Sequence, residues 1–244
     1  MNKIEHIVAL PASAVAAAIG LGFDIRAFEP AAAAALFASG AVVGPRALLE
    51  ESPDYIQLIP YLVGVDGDQV LSYVRSKKGG EARLHKKISV GVGGHVDVED
   101  AVARPGHTID LSELTGDQIR PAGAIDIERT LAIAALRELC EELKIQLPAD
   151  FLDRHPDLLK YTHIVHSQKS PVDAVHLGFV VKFDLAVLAQ KEFECEDALA
   201  NVRMQTPEQM LEADAIEGDD RLPLENWALF VLNQIVADRK PLAA

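Results

Sequence analysis

The chain has 244 residues, 49% of them hydrophobic and 25% charged, with 37 acids against 23 lysines and arginines for a formal net charge of -14. That length buries a substantial core and the balance is that of an ordinary globular protein, while the acidic surplus repels phosphate backbones and anionic lipid, arguing against nucleic-acid polymers and membranes as partners. Two cysteines, Cys140 and Cys195, make no disulfide scaffold and fit a reducing cytoplasm.

The apolar stretch from Ile7 to Phe23 is not read as a signal peptide or span, because Glu5 weakens a positive leader, Pro11 and Ser13 interrupt the run, and it is too short. Residues 6–10 are predicted as a strand, Ser13 as the N-cap of an Ala-rich helix over 14–19, and a further helix near 30–39. Residues 55–65 and 70–75 are β-rich and flank Asp66-Gly67-Asp68, a hairpin signal. A strand over 88–92 reaches Gly93-Gly94-His95, where paired glycines permit positive φ or close backbone approach to a ligand. Residues 97–127 are polar and carry Pro105, Gly106, Gly116, Pro121 and Gly123, which predicts a long loop at the mouth of a site. His107 and Asp110 within it are read as surface-loop residues.

Next stands the most informative segment, Arg137-Glu138-Leu139-Cys140-Glu141-Glu142-Leu143-Lys144-Ile145. At helical spacing Glu138, Glu141 and Glu142 share roughly 100° of arc. Ala132, Leu136, Leu139 and Leu143 are placed on the opposite side, predicting a helix that buries one face and presents its acids outward. Like charges so close repel, and oxygen ligands of this kind bind hard divalent cations such as Mg²⁺. The competing reading is a solvated acidic face.

Beyond it, residues 161–166 and 172–183 read as paired strands around a turn at 167–171. His163, His166 and His176 lack a compact zinc-ligand spacing. Thr206-Pro207-Glu208-Gln209 carries an N-cap, a Pro at N1 and a Gln at N3, predicting a short helix, and 224–237 an amphipathic one that packs Trp227 in the core. Strands mixed with helices imply an α/β layered sandwich.

Gly94 together with Arg137-Glu138-Leu139-x-Glu141-Glu142 resembles the signature of the Nudix hydrolases, G-x5-E-x7-R-E-U-x-E-E-x-G-U with U a bulky aliphatic. Its second half matches at nearly every position. Lys144 replaces the late Gly, Arg129 occupies the early Glu position counted back from Arg137, and roughly 25 to 30 extra residues separate Gly94 from the helix. Glu128 or Asp100 is the candidate for the early acid. Gln57-Leu58-Ile59-Pro60-Tyr61, Glu81-Ala82-Arg83-Leu84-His85 and Gly93-Gly94-His95 look like a subgroup described as predicted phosphoesterases, the resemblance covering about residues 53–235.

The resemblance implies an α/β fold, a Nudix-like α/β/α sandwich with a mixed β-sheet. An N-terminal α/β extension (1–52) would pack on a domain of 53–244 that carries a loop insertion at about 97–127. It implies metal-dependent hydrolysis of a diphosphate linkage in a nucleoside diphosphate derivative or related small molecule. Glu138, Glu141 and Glu142, with the Gly94 carbonyl, would hold Mg²⁺ or Mn²⁺, and Glu138 or Glu141 would orient or deprotonate the attacking water. Arg137 would anchor loop to helix, and one of Glu192, Glu194 and Glu196 would assist. Arg83, Lys87 and His95 are the candidate substrate contacts. Arg83 and Lys87 belong to a basic run with Lys77, Lys78, His85 and Lys86 that either faces the diphosphate or forms a solvated hairpin edge. Many relatives are dimers, so a homodimer is expected. Two other functions compete: a ligand-binding or regulatory module that does not cleave, and an isoprenoid diphosphate isomerase, for which no cysteine and glutamate pair can be assigned.

Overall fold

A computed structural model describes residues 4–75, 86–148, 150–155, 160–188, 199–215 and 222–239. In chain order its elements are β1 (His6–Pro11), α1 (Ala12–Ile19), β2 (Asp24–Ala27), α2 (Pro30–Ala38), β3 (Val42–Pro45), α3 (Arg46–Glu51), β4 (Tyr55–Asp66), β5 (Gln69–Arg75) and β6 (Ile88–Ser89). They continue with α4 (Leu111–Leu114), β7 (Arg120–Pro121), α5 (Ile127–Glu142), α6 (Phe151–Arg154), β8 (His163–His166), α7 (Pro171–Ala174), β9 (His176–Asp184), β10 (Leu199–Gln205), α8 (Pro207–Ala215) and α9 (Asn226–Arg239). The architecture is α/β. Two compact units emerge: Met1–Tyr61, Gly93–Arg137 and Tyr161–Val180 form one, and Leu62–Val92, Glu138–Lys160 and Val181–Ala244 the other.

In the first unit, β1 is an unbroken apolar run because both its faces are covered. Val8 and Leu10 enter a core cluster with Val15, Leu36, Val43, Ile56, Ile125, Leu131 and Phe179. Ile7 and Ala9 pack on the other side with Val42 and Leu49. Strand β1 pairs antiparallel with β3 (Val8↔Val43) and β4 (Leu10↔Ile56), and β2 with β8 (Ile25↔Val165). Edge-to-face contacts of Phe28 with Phe37 and Phe179, at 5.7 and 5.6 Å between centroids, close the core.

Three predicted boundaries move. Pro11, whose ring offers no side-chain acceptor, stands at the N-cap of α1 in place of Ser13, and the Ala12 amide is bound instead by the Asp54 carbonyl at 2.8 Å. Residues 172–175 are not strand: Ser170 caps α7 through its hydroxyl, which accepts from the Asp173 amide at 3.1 Å, and Pro171 sits at N1. The extended segment expected over 88–92 is regular only at β6. The 97–127 segment is folded rather than an irregular loop. It holds a 3-10 turn at Val98–Asp100, α4, and β7, which pairs with β3 (Val43↔Arg120). The Arg104 guanidinium donates to the carbonyls of Phe37 and Ser39, each at 3.1 Å, and of Ile125 at 2.9 Å.

In the second unit, β5 lies between β10 and β6, pairing with both (Leu71↔Met204, Tyr73↔Ser89). The β4–β5 turn forms as expected, Gly67 taking φ +60° and Val65 opposing Val70. The predicted capping box also forms. The Gln209 amide donates to the Thr206 hydroxyl at 3.3 Å, and the Thr206 amide to the Gln209 side chain at 3.0 Å, which starts α8. Trp227 is buried, with Ala228, Phe230 and Val231 of α9. Among the described residues no helix is long and apolar enough to cross a membrane.

Candidate active site

The glycine turn belongs to the first unit, and Gly93 is the residue its backbone demands. A Cβ built there would stand 1.8 Å from the Pro60 carbonyl oxygen. Backbone cannot swing aside as a flexible side chain can. Gly93→Ala is therefore expected to destabilise the fold by about 2–3 kcal/mol, as for a badly overpacked core position, read as a shift in denaturant midpoint. Unchanged stability would show that the turn relaxes freely.

Behind this turn Arg137 of α5 acts as a clamp. Its Nε donates to Asp100 Oδ1 at 3.0 Å, and Nη2 donates to Asp100 Oδ2 and to the His95 carbonyl, each at 2.9 Å. Asp97 Oδ2 lies 3.5 Å from the same Nη2. The Asp97 amide in turn donates to Asp100 Oδ2 at 3.0 Å, so Asp100 links the helix to the turn twice over. Burial pushes the Asp97 carboxyl upward, with the Arg137 charge opposing. Asp100, only 5% exposed, thus pairs with Arg137 in a way that neither Glu128 nor Arg129 does, both being exposed in the first turns of α5. The anchoring expected of Arg137 is what its contacts perform.

His95 is half-buried beside the turn. Its Nε2 lies 3.2 Å from His176 Nε2 and 4.0 Å from Glu50 Oε1, and Glu50 is held by Arg46 Nε at 2.7 Å. Burial, and then the charges of Arg46, His176 and Arg137, hold the His95 imidazole well below its ordinary range, so it is neutral at pH 7.

The acids occupy the end of α5, in the second unit, and here the predicted helix faces need correcting. Of the expected apolar face Leu139 and Leu143 are fully buried, but Ala132 and Leu136 are only half-buried and Ile133 is 41% exposed, while Ile127, Leu131, Ala134 and Ala135 are buried as well. Counting about 100° per residue, the last-named positions share the arc of Glu138 and Glu142. The acidic edge therefore continues the buried stripe instead of opposing it. Glu138 is 9% exposed and Glu142 half-buried, and only Glu141 faces solvent. A helix wheel alone misassigned this because alanines satisfy either face.

Lys144, the departure from the late Gly, adopts φ +49°. The Lys144 amide donates to the Glu141 carbonyl at 3.3 Å and the Ile145 amide to the Cys140 carbonyl at 3.1 Å, the two bonds of a Schellman terminator. The left-handed geometry a glycine would supply is thus kept at a lysine, at roughly 1–2 kcal/mol of strain. Glycine's own entropic penalty of roughly 0.5–1 kcal/mol is smaller, so Lys144→Gly is expected to stabilise the protein by up to about 1 kcal/mol in equilibrium unfolding. A loss of stability would contradict this geometry.

Within the same unit, Tyr73 donates to the Gly91 carbonyl at 2.6 Å. Its hydroxyl is pushed up to about 12, chiefly by burial, with Glu225 and Glu142 adding negative charge nearby. Glu225 is 3% exposed, accepts from the Ser89 hydroxyl, and takes Arg75 Nε at 2.9 Å. Sequence reasoning missed Glu225, which looked like one polar position at the head of an amphipathic helix. The acids expected to assist, Glu192, Glu194 and Glu196, lie outside the described residues, as do Arg83, Lys77, Lys78 and His85. Lys87 is half-buried, its carbonyl accepting from the Arg75 amide at 2.9 Å. Gly94 and His95 fall in the first unit, and Glu138, Glu141, Glu142 and Lys87 in the second. Among the described residues no group of three or more His, Cys, Asp or Glu is closed up as a metal ion would require.

No family model matches the chain. It is 29% identical over 184 residues to Protein YmaB of Bacillus subtilis (strain 168), spanning 75% of this chain and 73% of that protein. The crystal structure of Tm1382, a candidate Nudix hydrolase, superposes with a TM-score of 0.63 at 18% identity, covering 96% of this chain and 99% of that one. A Nudix hydrolase from Alicyclobacillus acidocaldarius is a looser match, with a TM-score of 0.43 at 20% identity over 75% of this chain and 91% of that one. The chain has a Nudix-like fold.

Proposed function

We propose that this protein is a Nudix-type hydrolase that cleaves the diphosphate linkage of a nucleoside diphosphate derivative or related small molecule with the aid of Mg²⁺ or Mn²⁺. The observation that carries the reading is the build of α5. Arg137 is clamped to the 95–100 turn, three carboxylates follow it, and a left-handed terminator stands where the Nudix signature has glycine.

The donor chemistry fits the ion. Carboxylate oxygens are hard ligands, and these sit at a helix C-terminus with no basic residue in the last turn, where the macrodipole adds negative potential. Glu138, Glu141 and Glu142 would hold it. Once bound, such a cation neutralises charge on the phosphoryl oxygens. The residues of the chain do the rest: Glu138 or Glu141 takes the proton of a water whose oxygen bonds to phosphorus as the bridging P–O bond breaks. Lys87 would face the diphosphate as a cation. The same reading takes the compartment as the cytoplasm and the assembly as a homodimer.

Purified protein incubated with ADP-ribose, UDP-glucose, a dinucleoside polyphosphate and inorganic pyrophosphate, with Mg²⁺ or Mn²⁺ and with chelator, tests this reading. Cation-dependent release of phosphate esters from at least one compound is expected. Tight binding of a compound without its cleavage would support a ligand-binding module instead.

A further inference from the structure

The small sheet of the second unit has two faces with different chemistry. Strand register sets Tyr73 opposite Ser89, on the face where Tyr73 donates to the Gly91 carbonyl and Glu225 takes Ser89 and Arg75. Ser72 and Val74 point the other way, Val74 opposite Ile88, because successive side chains of a strand alternate. A β-bulge decides what joins them from β10. Leu199 pairs with Arg75 and Ala200 with Val74, a register that would set Val202 against Ser72. One extra residue enters between Ala200 and Arg203, so Arg203 stands opposite Ser72 instead. Asn201 absorbs the irregularity at φ +52°, a left-handed conformation that asparagine tolerates better than most residues.

The side chains brought together in this way line a cavity of about 90 Å³. Its most buried polar member is Ser72, 2% exposed, whose hydroxyl donates toward the Arg203 carbonyl at 3.2 Å and Gln205 Oε1 at 3.1 Å. Held through its oxygen, the Gln205 amide keeps the Nε2 donors for a ligand. Val74, Ile88 and Leu222 supply an apolar wall, and Asn201 and Arg203 add further donors. Arg203 makes no ion pair among the described residues, although the chain carries 37 acids against 23 lysines and arginines. The cavity is a small fraction of the roughly 300–1,000 Å³ typical of pockets for drug-sized ligands, so it takes a group of a few heavy atoms and not a nucleotide. A guanidinium beside neutral amide donors selects an anion. The apolar wall selects one with a hydrocarbon stem, since phosphate would press charged oxygens against Val74 and Ile88 with nothing there to replace their water.

We propose that this cavity binds a small carboxylate with a short apolar tail, the carboxylate on the Arg203 guanidinium and the Gln205 amide and the tail against Val74, Ile88 and Leu222. Tyr73, the residue that senses the charge of Glu142, points to the opposite face of β5. The cavity is therefore a second site, and the proposal stands without the hydrolase reading.

Isovalerate serves as the probe. Titrated into isotope-labelled full-length protein, it is expected to shift the side-chain amide signals of Asn201 and Gln205 and the methyl signals of Ile88 saturably, with a Kd in the millimolar range that suits so few heavy atoms. Isovaleramide keeps the shape without the charge, and inorganic phosphate the charge without the tail; both are expected to bind clearly more weakly. Arg203 is exposed, so Arg203→Met is expected to fold as the wild type does and to raise the Kd for isovalerate at least about tenfold, the loss of one charge-assisted contact. Arg203→Lys is expected to recover only part of it, because an ammonium lacks the fork that grips both carboxylate oxygens. No saturable shift at these residues, equal affinity for isovaleramide or phosphate, or wild-type affinity in Arg203→Met would overturn the proposal.

Discussion

Glu141→Gln is expected to lower cation-dependent kcat by at least about a hundredfold, the low end of what a positioned general base contributes, and to leave the fold intact. Glu141 is the one member of the acidic triplet that faces solvent, so the amide replaces a carboxylate of the same shape without disturbing packing. Relieving one like-charge contact with Glu138 should even add a few tenths of a kcal/mol to stability. The variant thus separates chemistry from structure in a way that Glu138→Gln does not, since Glu138 is 9% exposed and part of the buried stripe. Steady-state rates and thermal unfolding on the same preparation decide the matter. Wild-type turnover at unchanged Tm would remove Glu141 from the mechanism.

Arg137→Met carries the largest expected effect on stability. Asp100 is 5% exposed and meets the guanidinium at 3.0 and 2.9 Å, so truncating the arginine strands a carboxylate away from water. Removing one partner of a buried pair costs about 3–5 kcal/mol, and the partial exposure of Arg137 places the expectation at the lower end, near 3. Arg137→Lys should recover little, because an ammonium cannot reproduce the fork that spans both Asp100 oxygens and the His95 carbonyl. The double variant with Asp100→Asn should lose clearly less than the sum of the two single changes. Additive losses in denaturant titrations would mean that Arg137 and Asp100 act independently.

Periodicity and turn chemistry revealed those parts of the fold that depend on local rules. The β4–β5 hairpin rests on Gly67 and the start of α8 on Thr206 and Gln209, and both form where the residues place them. The acidic run and Arg137 were legible for the same reason, being contiguous on one helix. What escaped depends on tertiary partners. The 97–127 segment reads as a loop because Val98, Ala122 and Ile125 follow no period, yet each is buried, and the segment is fixed by an arginine, Arg104, that reaches carbonyls more than sixty residues away. Asp100 was one of two candidates for the early acid, and only its contact with Arg137 distinguishes it from Glu128. Glu225 gave no signal, because its significance lies in Ser89 and Arg75, distant in sequence. The tolerance of Lys144 for a left-handed conformation is likewise a property of the terminator's two hydrogen bonds, which no residue-type rule contains.

Cleavage in water labelled with heavy oxygen tests the central claim most directly. With Mg²⁺ present, mass spectrometry of the products of the best diphosphate substrate is expected to find the label in one phosphoryl product, formed by the wild type and essentially lost in Glu141→Gln. Products without label, or labelled products formed equally well by Glu141→Gln and in the presence of chelator, would contradict it.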